Sequence, residues 1–244
     1  MEIADKIAKS VSLIPKIIDV AKKIDTAIKY DLRISHNEYC ENIIRKYCKV
    51  RTFFVRDEPQ YLDEFYVPAS IERQGAKRNK VKKAGIEELS SISKKIIVTG
   101  TGGSGKTIFM RHLLLNSIEK GFGYPVFIEL RNLNNKSEIN LESEIFEFMK
   151  IHGFPLGNDF SERSLKDGLL VVLLDGFDEL SPDKRNAVEL SIKNFSANCK
   201  SQIVISSRPD MALEGWDGFG KVNLSPLELD EACELVQKLI LVLT

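Results

Sequence analysis

Residues 94–115 read K-K-I-I-V-T-G-T-G-G-S-G-K-T-I-F-M-R-H-L-L-L. A β-branched run, Ile96–Thr99, meets the pattern Gly100-x-x-x-x-Gly105-Lys106-Thr107, and a helical apolar pattern follows. These residue types suit a turn that holds polyphosphate between a strand and a helix. Glycines let the backbone curl so that successive N–H groups face one anion. A helix beginning near Gly105 adds the positive end of its dipole. Lys106 can reach the β- and γ-phosphates, and the Thr107 hydroxyl is offered to magnesium. The nucleotide-binding loop is therefore expected at Gly100, Thr101, Gly102, Gly103, Ser104, Gly105, Lys106 and Thr107. A chance glycine-rich turn is the alternative, and the flanking strand and helix patterns argue against it.

Downstream, Leu169–Leu174 is a continuous apolar run that ends at Asp175-Gly176-Phe177-Asp178-Glu179. A buried strand delivers its last carboxylate toward the phosphate loop at the carboxyl edge of the sheet. Asp175 is then the second magnesium anchor, acting through a water, because Mg2+ favours a mix of carboxylate, water and phosphate oxygens. Asp178, with Glu179 second, is the expected acid that orients the attacking water. The competing reading makes both a charge pair at a helix N-terminus. A third run, Ile203–Ser207, leads into Arg208-Pro209. It places Ser206, Ser207 and Arg208 beside the strand of Asp175. Arg208 can pair with a γ-phosphate and so distinguish triphosphate from diphosphate; the alternative is a surface arginine at a turn.

Around these motifs, short apolar runs alternate with helical patterns, which predicts an α/β fold, a parallel sheet flanked by helices. Strands are expected at 96–99, 125–130, 169–174 and 202–206, and helices at 85–93, 105–119, 140–152, 182–198 and 228–242. Residues 2–30 carry apolar positions at three- and four-residue steps, interrupted by Pro15, where a kink is expected. A second helix is expected over 35–57. Residues 61–71 suit extended packing, and 72–84 (ERQGAKRNKVKKA) read as a polar connection. The division is thus a small all-α N-terminal region (1–60), a connecting segment (61–93), the P-loop core (94–225) and the start of a further helical segment (226–244).

Composition narrows the function classes. The chain is 43% hydrophobic and 29% charged, which fits a globular protein with a sizeable core. Its formal net charge is zero, which gives no whole-chain argument for nucleic acid or an anionic membrane as partner, and neither is expected. Basic residues dominate the first 95 positions and acidic ones the remainder, suggesting two functional parts. Cys40, Cys48, Cys199 and Cys233 match no zinc spacing, and His36 with Cys40 and Cys48 lacks a fourth ligand. No apolar run reaches the ~20 residues of a membrane span, and the N-terminus does not read as a signal peptide. A cytoplasmic protein with reduced thiols is expected.

Taken together, G-T-G-G-S-G-K-T, L-L-V-V-L-L-D-G-F-D-E-L and I-V-I-S-S-R-P resemble the NACHT family, within the STAND class of signal-transduction NTPases. Y-P-V-F-I-E-L-R-N-L, at Tyr124–Leu133, is similar to that family's second strand, and Tyr66-Val67-Pro68 to its approach segment. The Asp-Gly-x-Asp-Glu form discriminates most, because AAA-type ATPases place the catalytic acid directly after the magnesium aspartate. The resemblance implies a switch that rests with diphosphate, opens on exchange for triphosphate, oligomerises and releases an effector. Bacterial members often serve in defence against phage, and animal members in innate immunity. Family members continue into helical, winged-helix and sensor segments, so a chain ending at Thr244 is expected to be the front part of a longer protein or to work with a companion. ATP is preferred to GTP, because no Asn/Thr-Lys-x-Asp string follows the third motif; Asn134-Asn135-Lys136-Ser137 lacks the aspartate and falls too early.

Three readings stay open for residues 1–60: a bundle packed on the core, a docking or self-association module, and a membrane-surface helix, against which Asp5, Asp19 and Asp25 count. For the whole chain, the rivals to a slow ATPase switch are a constitutive P-loop enzyme and a nucleotide-locked scaffold without hydrolysis.

Overall fold

The computed structural model describes residues 26–51, 59–74, 80–154, 167–210, 213 and 215–243. The kink expected at Pro15 lies outside these residues. In chain order the elements are helix α1 (Thr26–Tyr47), strands β1 (Lys49–Val50) and β2 (Gln60–Tyr61), helix α2 (Leu62–Phe65), strands β3 (Ile71–Arg73) and β4 (Lys80–Val81), and helix α3 (Ile86–Ile92). The core follows as β5 (Lys95–Thr99), α4 (Lys106–Glu119), β6 (Tyr124–Glu129), a 3-10 turn (Leu130–Asn135) and α5 (Leu141–Ile151). It closes with β7 (Leu170–Asp175), a 3-10 turn (Phe177–Glu179), α6 (Pro182–Asn198), β8 (Gln202–Ser207), β9 (Gly220–Leu224) and α7 (Leu229–Leu243).

Seven strands form one sheet in the order β4-β3-β9-β5-β8-β7-β6. The five from β9 to β6 are parallel, and β3 and β4 are antiparallel additions at one edge. Every residue of β7 and β8 is buried, as strands covered on both faces require. The apolar face of α4, with Phe109, Leu113, Met110 and Leu114 at four-residue steps, is buried in the same core.

Four expectations change. Residues 61–71, expected to be extended, include helix α2 at Leu62–Phe65. The helix predicted over 35–57 ends at Tyr47. Cys48 donates its N–H to Ile44 O and its carbonyl accepts from Leu62 N–H, after which Lys49–Val50 pairs with Gln60–Tyr61. Val50 therefore leaves the helical stripe because it has a strand partner, so a short β-ribbon follows the N-terminal helix. The polar stretch 72–84 is not simply a connection: Glu72 and Arg73 belong to β3, whose register with β9 runs Ile71↔Leu224 to Arg73↔Val222, and Lys80–Val81 forms β4. A charged residue suits β4, which forms the open edge of the sheet. Finally, β9 itself escaped the sequence reading. Only Val222 and Leu224 turn inward, too few to read as a buried run, yet β9 is the neighbour of the P-loop strand.

From residue 36 onward α1 packs against the core. Tyr39, Cys40, Ile43, Ile44 and Tyr47 are buried. Tyr39 Oη donates to Pro125 O at 2.6 Å, and the Tyr47 ring meets Phe127 at 5.3 Å between centroids.

Candidate nucleotide-binding site

The phosphate loop is built where β5 passes into α4. Thr99 is buried, and Gly100 N–H donates to Ser207 O at 3.2 Å, which ties the loop's start to β8. Gly103 and Gly105 have φ of +78° and +85°, a left-handed backbone that glycine adopts without steric cost. Gly105 is the N-cap of α4 and has no side chain to occupy the first-turn amides, so these remain presented to an anion. Lys106 Nζ bends back onto the loop, donating to Gly100 O at 2.7 Å and Thr101 O at 2.9 Å. Burial lowers its pKa; the Asp178 carboxylate opposes that shift.

Asp175 is the last residue of β7, next to β8 and level with Glu129 at the end of β6. It is 7% exposed. Burial raises its pKa, while hydrogen bonds from the Ser206 and Thr107 hydroxyls pull it back down. Ser206 Oγ donates to Asp175 Oδ1 and accepts Gly176 N–H at 2.9 Å, so it holds both the carboxylate and the turn that follows. Thr107, Asp175 and Ser206 thus gather hard oxygen donors at one point, a set suited to Mg2+ with its waters and phosphate oxygens.

Beyond Gly176 the backbone makes a 3-10 turn. Both Asp178 oxygens are engaged by Arg208: Nε stands 2.9 Å from Oδ2, and the backbone N–H reaches Oδ1 at 3.0 Å. The Arg208 guanidinium also lies across the phosphate loop, since a methyl group added at Gly102 would sit 3.5 Å from Cζ. Glu179 is more exposed and stands 3.8 Å from Arg131 Nη1, while Arg131 Nη2 holds Glu129 at 2.8 Å. Gly102–Thr107, Asp175, Asp178, Glu179, Ser206 and Arg208 share the lining of one polar cavity of about 290 Å³. Gly100 and Thr101 lie on the loop's other side.

That other side opens into an apolar cavity of about 840 Å³. Gly102–Gly105 and Ile108 line both cavities, so the loop is their common wall. Phe65–Val67 and Ala69 come from the approach segment, Asn223–Leu227 from the end of β9 and beyond, and Leu235 and Leu239 from α7. Lys238 Nζ donates to Tyr66 O at 3.0 Å, fastening α7 to the approach segment. The sequence draws attention to Phe65–Val67 and to the stretch from Val222 onward, but not to their meeting at one cavity, because scattered apolar and small polar residues carry no local signal of a shared wall.

Residues 94–240 match the model of the NACHT domain. The chain belongs to the NACHT family. NACHT domains are nucleotide-binding NTPases of the STAND type, they bind nucleotide generally with magnesium, and they typically oligomerise. The chain is also similar to the Mus musculus protein named NACHT, LRR and PYD domains-containing protein 9B, 31% identical over 117 residues. That match covers 46% of this chain and 11% of the mouse protein, so the chain spans a small part of that relative's length. Among the described residues, no helix of this NACHT protein is long and apolar enough to cross a membrane.

Proposed function

We propose that this chain binds ATP with magnesium and hydrolyses it slowly, as the nucleotide switch of a signalling or defence protein. The observation that carries this reading is the pair of cavities sharing one glycine-rich wall, polar with converging oxygen and nitrogen groups on one side and apolar on the other. A triphosphate fits the first and a purine the second. The loop amides of Gly100–Thr107 and the Lys106 ammonium hold the phosphates. Thr107 and Asp175 would hold the metal, which would supply positive charge to offset that developing on the phosphate oxygens.

Hydrolysis is in-line attack of water on the γ-phosphate, releasing ADP and phosphate. Asp178 and Glu179 divide the remaining work. Asp178, with both oxygens on Arg208, supports the residue that senses the γ-phosphate. Glu179 stands beside it in the polar cavity and orients the water. A γ-phosphate that draws on Arg208 competes with Asp178 for it, which couples triphosphate binding to the acidic loop. The same reading takes the sequence segments 94–225 as the NTPase core and 226–244 as the start of a further helical segment, with protein partners or self-association through segments outside the core, in the cytoplasm.

The test is titration of fluorescent ATP and GTP analogues with and without Mg2+, followed by single-turnover phosphate release. ATP should bind more tightly than GTP, and Lys106→Ala should weaken ATP binding by about tenfold or more. Equal ATP affinity in that variant would overturn the assignment. Binding without any phosphate release would leave a nucleotide-locked scaffold, and rapid multiple turnover would leave a constitutive enzyme.

A further inference from the structure

The loop that carries both acids, residues 176–181, is pinned at each end by a side chain from a neighbouring strand's terminus. At its start Ser206 accepts Gly176 N–H at 2.9 Å. At its far end the anchor is Asn134, in the 3-10 turn that follows β6. Asn134 Nδ2 donates to Glu179 O at 3.0 Å, and Asn134 Oδ1 accepts Ser181 N–H at 2.9 Å. One carboxamide therefore satisfies the carbonyl before Leu180 and the amide after it, as a facing peptide group would. Leu180 itself is buried.

The sheet makes this reach available. Strands β6 and β7 are parallel and in register through Glu129↔Asp175, so the two 3-10 turns leave the sheet side by side. Within the acidic loop the backbone ties are short-range: Glu179 N–H to Gly176 O at 3.0 Å and Leu180 N–H to Phe177 O at 3.4 Å. Neither fixes the loop against the rest of the molecule. Ser181, the N-cap of α6, accepts Lys184 N–H and Arg185 N–H on its carbonyl and makes no side-chain capping bond, so its tie back across the acidic loop to the turn after β6 runs through Asn134. The string Asn134-Asn135-Lys136-Ser137 does not form a guanine-reading motif; its first residue has a different use.

Resting on the hydrolytic reading above, we infer that Asn134 is a positioning residue for ATP hydrolysis, which sets the acidic loop by bonding the main chain on both sides of Leu180 and thereby aims Glu179 at the attacking water. Asn134 touches neither cavity, so its removal should change the rate of the chemical step and leave nucleotide binding intact.

The experiment is single-turnover cleavage of ATP by the full chain, with affinity measured separately by a fluorescent ATP analogue. Asn134→Ala should slow cleavage by about tenfold with affinity changed by less than about twofold, since misplacing a reacting group costs rate. Asn134→Asp, which keeps an oxygen toward Ser181 N–H, should recover part of the loss. In a Glu179→Gln background, Asn134→Ala should add less than about twofold, because residues acting through one group are not additive. A full additional loss in that background, or a rate that falls in step with affinity or melting temperature, would show a merely structural role and overturn the inference. An unchanged rate in Asn134→Ala would do the same while leaving the hydrolytic reading intact. If the unmodified chain binds ATP and never cleaves it, the hydrolytic reading fails and this inference falls with it.

Discussion

At the scale of single residues, Asp175 shows how the site opposes the fold. Its pKa is raised by burial, so the folded chain binds the proton more tightly than the unfolded one. Stability associated with the protonated form is complete below the ordinary carboxylate pKa and is lost as pH rises through the raised value. At neutral pH the ionised carboxylate is therefore a cost to the fold, which a cation held there would offset. Asp175→Asn should raise the melting temperature of the metal-free protein at about pH 7.5, leave it little changed at a pH well below the ordinary carboxylate pKa of about 3.9, and abolish the Mg2+ dependence of ATP binding. Thermal melts in chelator at the two pH values check the first part, and titrations with and without Mg2+ the second. The neighbouring acids should separate in the same way. Glu179→Gln is expected to lower the single-turnover rate by about 100-fold or more with ATP affinity retained. Asp178→Asn, which weakens the hold on Arg208, should also narrow the ratio of ATP to ADP affinity. Equal effects of both changes on rate and on that ratio would remove the division of labour between them.

At the scale of elements, α1 illustrates what packing adds to pattern. In the sequence, residues 1–60 leave open a bundle on the core, the leading reading, a docking module and a membrane-surface helix; the described part of that region includes the stripe Tyr39, Ile43 and Tyr47. The structure buries that stripe, with Tyr39 and Tyr124 rings 5.7 Å apart in an edge arrangement. Ile43, fully buried, is a direct probe. Ile43→Ala should cost about 2–5 kcal/mol. The loss should appear as a lower midpoint of a single cooperative unfolding transition, followed by circular dichroism and by tryptophan emission from Trp216. Two separated transitions would mean that α1 folds apart from the sheet. Strands β3 and β9 teach a complementary lesson. Their alternation is short and mixed with charge, so each lacks a local signature. β9 is a strand because β5 offers one open side, and β3 because β9 offers the next; each pairing satisfies backbone groups that would otherwise be left unpaired.

At the scale of the whole molecule, the two cavities are brought together by segments far apart in the chain: the approach segment near Tyr66, the loop at 100–107, the turn after β9, and α7. A ligand that spans them binds only the folded form. ATP with Mg2+ at about 100 times its dissociation constant should stabilise the fold by about 2.7 kcal/mol. For a domain of this size that corresponds to a rise in melting temperature of roughly 5–10 °C, measurable by differential scanning fluorimetry. Lys106→Ala, if it weakens binding about tenfold, should cut the rise to about half at the same ATP concentration, and further if the loss of affinity is greater. A mutant that retained the full rise would place the nucleotide elsewhere.

The phosphate loop, the acidic strand end and the Ser-Ser-Arg strand were legible in residues 94–209 because their chemistry is local. Glycines at fixed offsets, a lysine beside a threonine, and a carboxylate closing an apolar run state their use within a few residues. The buried strands were legible for a similar reason, since a side chain covered on both faces must be apolar wherever the chain folds. The base-side cavity, the placement of β9 beside β5, the Arg208 grip on Asp178 and the reach of Asn134 to the acidic loop were not. Each is a contact between residues tens of positions apart, and single polar or apolar residues in loops carry no period that reveals their partner. Those pairings exist only after the parallel sheet has brought its carboxyl ends to one edge, where the ends of β6, β7 and β8 stand within hydrogen-bond reach of one another.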